Sequence, residues 1–299
     1  MATFALQVLP QNAAEWLDTA RRAEAAGFDT LYVADHPGSC AAPFVALAAA
    51  AAVTTTIRLG SYVANAGVRE PILLACDVAT LDLVSGGRAI LGLGAGHTPA
   101  EWAAVGKVRP DVRGRVERFI AVAEATTRLL AGDEVTVDAP ELTMLKASLE
   151  KPARVQEKIP LLFGGGNTRL LRWAAVHADV VGLSGLGRTL PDGHMHETRW
   201  RADEIDAQVE LLGGKPIEAL VQYVEITDDA EAVYAAKAEE FGMPASELKA
   251  APYVLIGTED EILAAVREHA RRWGITRYAV RRNALDLLGP LLPKLAEVS

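Results

Sequence analysis

The stretch IRLGSYVANAGVREPILLACDVATLDLVSGGRAILGLGAGH, residues 57–97, decides how this chain is read. It contains a strand (57–63), an apolar helix (71–84) and a second strand (89–93), followed by alternating Gly92, Gly94 and Gly96. Strand, helix, strand in so short a span implies parallel pairing, because parallel strands need a crossover. The polar residues Asn65, Arg69 and His97 collect just past the strands, and in such folds the strand carboxyl ends are where cofactors sit.

The same rhythm extends in both directions. Upstream, strands are expected at 4–9 and 30–34, with a helix from Asn12 that stops at Gly27 and another over 43–52. Pro43 and Pro71 stand at helix starts, where a missing N–H costs little. Downstream, a helix is expected over 112–130, a strand at 159–163 with its helix over 167–177, and a strand at 179–183. A charged helix over 199–212 leads to a strand at 219–225 and helices at 229–241 and 244–250. Thr258 and Glu261 have capping-box spacing at the start of a helix over 259–273, and a last strand is expected at 277–280. About eight strand and helix pairs favour a closed (β/α)8 TIM barrel over an open doubly wound sheet. Leu9, Pro10 and Gln11 stand where a dinucleotide-binding sheet would carry G-x-G-x-x-G, which weakens the open-sheet alternative. The expectation is a single barrel domain over 1–299, with insertions near 97–112, 131–158 and 184–198.

Composition narrows the function classes. Half of the 299 residues are hydrophobic and only 6% aromatic, so the core is built from Ala, Val, Leu and Ile. A net charge of −9 argues against nucleic-acid binding, which needs concentrated Lys and Arg. The run 41–53 is too short to span a bilayer, and the strand-like residues 1–10 leave no room for a leader, so a cytoplasmic protein is expected. Cys40 and Cys76 lie in apolar surroundings and read as two buried thiols.

Several residues could carry chemistry. Asp35 and His36 directly follow the second strand and read either as an acid-base pair or as a turn cap beside a solvent-facing ring. Asn65, Gly67 and Arg69 form either a turn or a ring-binding and anion-fixing or rim-bracing group. The alternating glycines that include Gly94 would let a flat ring approach the backbone, or serve tight packing. In Phe163-Gly164-Gly165-Gly166-Asn167-Thr168 a strand ends in three glycines before a polar helix start, a natural phosphate cradle. His97, His194 and His196 fall on rim loops. Histidines at 194 and 196 have metal-like spacing, but no carboxylate or Cys completes a set, so no metal is assigned. No G-x-S-x-G elbow exists, which disfavours covalent hydrolysis.

Four segments together resemble the luciferase-like monooxygenase superfamily, in particular its deazaflavin (coenzyme F420)-dependent branch: AEAAGFDTLYVADH at 23–36, LGSYVANAGVREPILLACDVATLDLVSGGRAILGLGAG at 59–96, LLFGGGNTRLLRWAAVHADVVGL at 161–183 and VLIGTEDEILAAVREHARRWGITRYAV at 254–280. The resemblance implies a barrel whose flavin or deazaflavin lies across the strand carboxyl ends. It places Asp35 at the ring, puts a bulge with a non-proline cis peptide at Tyr62-Val63 and the adjoining Ala64 under one ring face, sets Asn65 toward the ring or ribityl chain, and gives Gly165, Gly166, Asn167 and Thr168 the cofactor phosphate. In the sugar-phosphate dehydrogenases of that branch a Glu follows the strand-four glycines as proton donor; His97 stands there here. The aromatic residue expected beyond their Asp-His pair is also missing, since Gly38, Ser39 and Cys40 follow Pro37. The expected activity is hydride transfer between coenzyme F420 and a small organic substrate, with His36 and His97 as the catalytic proton-transfer residues. An FMN-dependent monooxygenase and a non-catalytic flavin-binding protein are the alternatives. A homodimer is the family-level expectation.

Overall fold

The computed structural model describes residues 1–190 and 196–298. Eight parallel strands close into a barrel: β1 (Thr3–Val8), β2 (Thr30–Val33), β3 (Arg58–Ser61), β4 (Ala89–Gly94), β5 (Leu161–Gly164), β6 (Val180–Leu183), β7 (Ile217–Leu220) and β8 (Ile275–Arg281). Each pairs with its neighbours in chain order, and β8 returns to pair with β1, Gln7 opposite Arg281. A two-residue extension, Ala64–Asn65, continues past β3 and pairs with Leu93 and Gly94 of β4.

The helices start and stop where local chemistry dictates. α1 (Ala13–Ala26) is capped by the Asn12 side chain, which accepts from the Glu15 N–H at 3.0 Å, and ends at left-handed Gly27. α2 (Pro43–Ala51) and α3 (Pro71–Ser85) both begin at proline. α4 (Val112–Ala131), α5 (Thr168–His177) and α6 (Ala202–Leu212) follow. α7 (Glu259–Trp273) carries the full capping box between Thr258 and Glu261.

Several segments depart from the sequence reading, among them the expected loop over 184–198, where Leu186–Thr189 pairs with His196–Thr198, and the stretch after β8, which forms short helices at Ala284–Leu288 and Leu292–Ala296. The stretch after β4, read as irregular, contains a short helix, Pro99–Ala104, started by its proline. The excursion over 131–157 contains an antiparallel hairpin, Val135–Ala139 with Leu142–Ala147. The strand expected at 219–225 is two strands. Val221 still donates to the Ala279 carbonyl of β8, but Gln222 turns aside to the Tyr253 carbonyl, so Tyr223–Ile226 leaves the barrel and pairs with Val254–Gly257. The two thiols also differ from expectation: Cys40 is half-buried and Cys76 lies exposed on α3, because α3 turns a broad outer face away from the barrel.

One apolar layer lies between strands and helices, and a second fills the barrel interior with Ala5, Tyr32, Tyr62, Ile90, Leu162, Leu220 and Ala279. The two tyrosine rings lie 4.9 Å apart. Gly182 makes room for one of them: a Cβ there would sit 2.4 Å from the Tyr62 hydroxyl oxygen. Toward the amino ends of the strands, Glu218 and Arg277 face each other at 3.6 Å, with Arg277 also 3.2 Å from Asp29. No helix of the described residues is long and apolar enough to cross a membrane.

Candidate active site at the barrel mouth

The carboxyl end of β3 carries the feature around which the mouth is organised. The Tyr62–Val63 peptide is cis, and the Val63 side chain is wedged between two strands. A Cβ on Gly94 would lie 2.4 Å from one Val63 methyl and a Cβ on Gly164 2.6 Å from the other. Both glycines are therefore required by the bulge. Gln7, from the end of β1, donates to the Tyr62 carbonyl at 2.5 Å and braces the bulge from beneath.

Asp35 and Asn65 hold the rim. Asp35 is 4% exposed; Arg69 grips its carboxylate with two bonds, Nε to Oδ2 at 2.6 Å and Nη2 to Oδ1 at 2.9 Å, and the Asn65 N–H donates to Oδ2 at 2.9 Å. This carboxylate braces the bulge, and Arg69 braces the rim through it. Asn65 is bonded as well: its Oδ1 accepts from the Gly67 N–H at 2.9 Å, and its Nδ2 donates to Glu101 at 2.6 Å. Arg118 of α4, 3% exposed, secures the loop from behind by donating to the carbonyls of Ala66, Gly67 and Arg69 and pairing with Glu70.

Glu101 is the acid that the sequence reading missed. It sits in the first turn of helix Pro99–Ala104 and is 4% exposed, and its Oε1 lies 2.7 Å from His36 Nδ1. The place just after the strand-four glycines belongs to His97, yet a carboxylate reaches the mouth from four residues further on. A Glu two positions after a helix-starting proline was the available signal.

His36, His97 and His196 stand in a row. The first two rings are 5.7 Å apart and edge-on, and the next two 4.6 Å apart. Their environments push them in opposite directions. The hydrogen bond to Glu101 holds His36 above the usual histidine range, against the opposing effect of burial. Burial, reinforced by the nearby His196 and His36, depresses His97 to about 4. Burial pushes Glu101 up, but the bond from His36 and its charge, with bonds from Thr98 and Asn65, bring it below its ordinary value. His194 lies outside the described residues, and among the described residues no set of three His, Cys, Asp or Glu could hold a metal ion.

The glycine cradle follows β5. Asn167 is the N-cap of α5, its Oδ1 accepting from the N–H groups of Arg169 at 3.0 Å and Leu170 at 3.2 Å, so only its amide donors are left for a ligand. The Gly165 N–H donates to the Gly182 carbonyl. Gly166, Thr168 and the amino end of α5 remain to receive an anion. Gln208 of α6 covers this spot, with Nε2 3.1 Å from where a Gly166 Cβ would be, and its Oε1 has no hydrogen-bond partner among the described residues. A cofactor with a phosphate tail fits this arrangement: the Val63 bulge seated on Gly94 and Gly164, and a helix terminus with glycine backbone beyond it.

The protein is thus a parallel eight-stranded barrel with a braced cis-peptide bulge, a carboxylate-histidine pair and a glycine-helix cradle at one mouth. The chain belongs to the luciferase-like monooxygenase family, whose sequence profile matches residues 2–249. It is 31% identical over 180 residues to the 5,10-methylenetetrahydromethanopterin reductase of Methanolobus tindarius, covering 60% of this chain and 53% of that protein. It is 32% identical over 221 residues to the F420-dependent glucose-6-phosphate dehydrogenase of Intrasporangium calvum, covering 66% and 64%. The matches thus span about half to two-thirds of these relatives. Among solved structures, the coenzyme F420-dependent tetrahydromethanopterin reductase of Methanopyrus kandleri superposes with a TM-score of 0.75 at 20% identity over 98% of this chain and 99% of its own. The FMN-bound oxygenating component of 3,6-diketocamphane monooxygenase from Pseudomonas putida gives 0.71 at 14% identity over 99% and 96%. The fold is shared by deazaflavin and FMN proteins, and the family is one of oxidoreductases.

Proposed function

We propose that this protein is a coenzyme F420-dependent oxidoreductase that moves a hydride between the deazaflavin and a small organic substrate. The observation that carries the reading is the pair of neighbouring histidines in opposed environments, His36 bonded to Glu101 and pushed up, His97 pushed down to about 4 by burial. Neighbouring groups with divergent proton affinities are the usual mark of separate acid and base roles. His36, with Nδ1 bound to Glu101, keeps its other ring nitrogen to hold or release a proton at the substrate oxygen. His97 stays neutral across physiological pH and can accept one. The deazaflavin would supply the two-electron hydride chemistry. Gly166 and Thr168 with the α5 terminus would hold its phosphate, and the Val63 bulge would support its ring. The name of the Intrasporangium relative supports the choice of F420.

Titration of the purified protein with coenzyme F420 and with FMN, read by fluorescence, tests it. Saturable F420 binding that weakens sharply in Gly166→Val is expected. Binding of FMN alone would overturn the cofactor assignment, and unchanged F420 affinity in Gly166→Val would remove the cradle.

A further inference from the structure

Several buried arginines among the described residues face a carboxylate: Arg69 meets Asp35, Arg118 meets Glu70 and Arg277 meets Asp29 and Glu218. Arg88 has no such partner but is enclosed by the carbonyls of Ala51, Thr54, Ile57 and Ser85. Arg281 has neither a carboxylate nor a carbonyl cage. It closes β8 at the barrel mouth, and its described partners are two neutral amides: Nη1 donates to Gln7 Oε1, and Nη2 donates to Gln222 Oε1 at 2.8 Å. A guanidinium has five N–H donors, so this one is oriented but neither neutralised nor saturated.

The two glutamines are themselves fixed. Gln7 donates to the Tyr62 carbonyl, and the Gln222 N–H donates to the Tyr253 carbonyl at 2.7 Å. Arg281 is thereby tied to the bulge on one side and to the strand that leaves the barrel on the other. Desolvation lowers its proton affinity, as expected for a cation taken from water without a counter-charge. It stands two strands from His36, since β8 pairs with β1 and β1 with β2. At about 4.8 Å per strand, that is a separation of about 10 Å at the backbone, within which both side chains reach over the mouth.

We infer that Arg281 is the recognition site for a carboxylate on the substrate, held by its unused N–H groups while His36 serves the reacting oxygen. The substrate class is then a small organic acid whose carboxylate and reducible group are separated by a few bonds. An uncompensated guanidinium oriented by neutral acceptors suits a charged ligand that comes and goes: a resident carboxylate would compete with it, and two amides do not. This assignment rests on the hydride-transfer reading for its chemistry, but carboxylate binding itself does not require the cofactor.

The test is calorimetric titration of the full chain, without cofactor and at fixed ionic strength, using formate, acetate and benzoate as probes and benzamide as the neutral control. Saturable binding of at least one carboxylate, with benzamide at least about tenfold weaker than benzoate, is expected. Arg281→Met should weaken it about tenfold or more, as loss of a charged hydrogen-bond donor does, and Arg281→Lys by less. Gln222→Glu, which sets a carboxylate on the guanidinium, should give the same loss without removing the arginine, and stands in if Arg281→Met fails to fold. Absence of carboxylate binding by the natural protein, or undiminished binding in both Arg281→Met and Gln222→Glu, overturns the inference. So does a fall in F420 affinity in Arg281→Met without any carboxylate binding, which would assign the guanidinium to the cofactor ring. A protein that binds FMN instead of F420 yet keeps Arg281-dependent carboxylate binding would fail the cofactor reading and leave this one standing.

Discussion

The Asp35–Arg69 pair invites a double-mutant cycle, because its two halves are unequally buried. The Asp35 side chain is 2% exposed and that of Arg69 22%. Removing one partner of a buried ion pair costs about 3–5 kcal/mol, since it strands the other charge. In Asp35→Asn the stranded arginine keeps Asp77 at 3.4 Å and the face of the Phe44 ring at 5.3 Å, which places the cost at or below the low end, about 2–3 kcal/mol. In Arg69→Met the carboxylate keeps only the Asn65 N–H, which puts the cost near 4 kcal/mol. The double variant should cost about 2–3 kcal/mol, leaving a coupling of roughly 3 to 5 kcal/mol. At an unfolding entropy of about 0.6 kcal/mol/K for a chain of this length, Arg69→Met lowers Tm by about 6 °C, and Asp35→Asn and the double variant each by about 4 °C. Differential scanning calorimetry at pH 7 measures all three, and added salt should change the coupling little because the pair is buried. Cofactor affinity should fall with stability in both single variants, since the Asp35–Arg69 brace of the rim is lost. An Arg69→Met melt within about 1 °C of the natural protein, or a coupling below about 0.5 kcal/mol, would refute the brace.

Other variants probe the same site and the barrel base. Because His97 is depressed from 6.5 to about 4, its contribution to stability is complete above pH 6.5 and is lost as pH falls through about 4. His97→Gln should therefore lose about 2–3 kcal/mol less than the natural protein between pH 7 and pH 4 in denaturant titrations. Glu218 is 1% exposed, and burial, only partly offset by Arg277, raises it to about 7. The cost of ionising it enters as pH rises from 4.5 to 7, so Glu218→Gln should gain about 1–2 kcal/mol at pH 8 and nothing at pH 4. Glu101→Gln removes the bond that holds His36 high, so the alkaline limb of the reaction's pH profile should move to lower pH; an unmoved limb assigns the proton to another group. In Gly94→Ala the new methyl meets Val63 at 2.4 Å, which should cost about 1–3 kcal/mol by overpacking and weaken cofactor binding in a fluorescence titration.

Much of this architecture was legible before any coordinates. Local signals act over a few residues, so the Asn12 cap, the proline helix starts and the Thr258–Glu261 box marked true helix ends. The strand rhythm was equally local, and it led to eight parallel strands, while the family resemblance led to the cis peptide at Tyr62–Val63. The misreadings have a common origin. The segment 219–225 carries one continuous strand pattern, and its division into two strands depends on Tyr253, thirty-one positions beyond Gln222, which draws the chain out of the barrel. Cys76 looked buried because its neighbours are apolar, yet burial depends on which side of α3 meets the sheet.

The composition of the site followed the same division. Sequence by itself determined the order of strands and helices, the helix caps, the glycine runs and the histidines, because each is encoded in a short run of residues. Only the tertiary structure decided what these residues do to one another. It engaged Asp35 with Arg69, brought Glu101 to His36 across 65 positions, and set Gln7 against Arg281 across 274. Barrel closure creates those neighbours by joining the first strand to the last, and the charge state of each group depends on them.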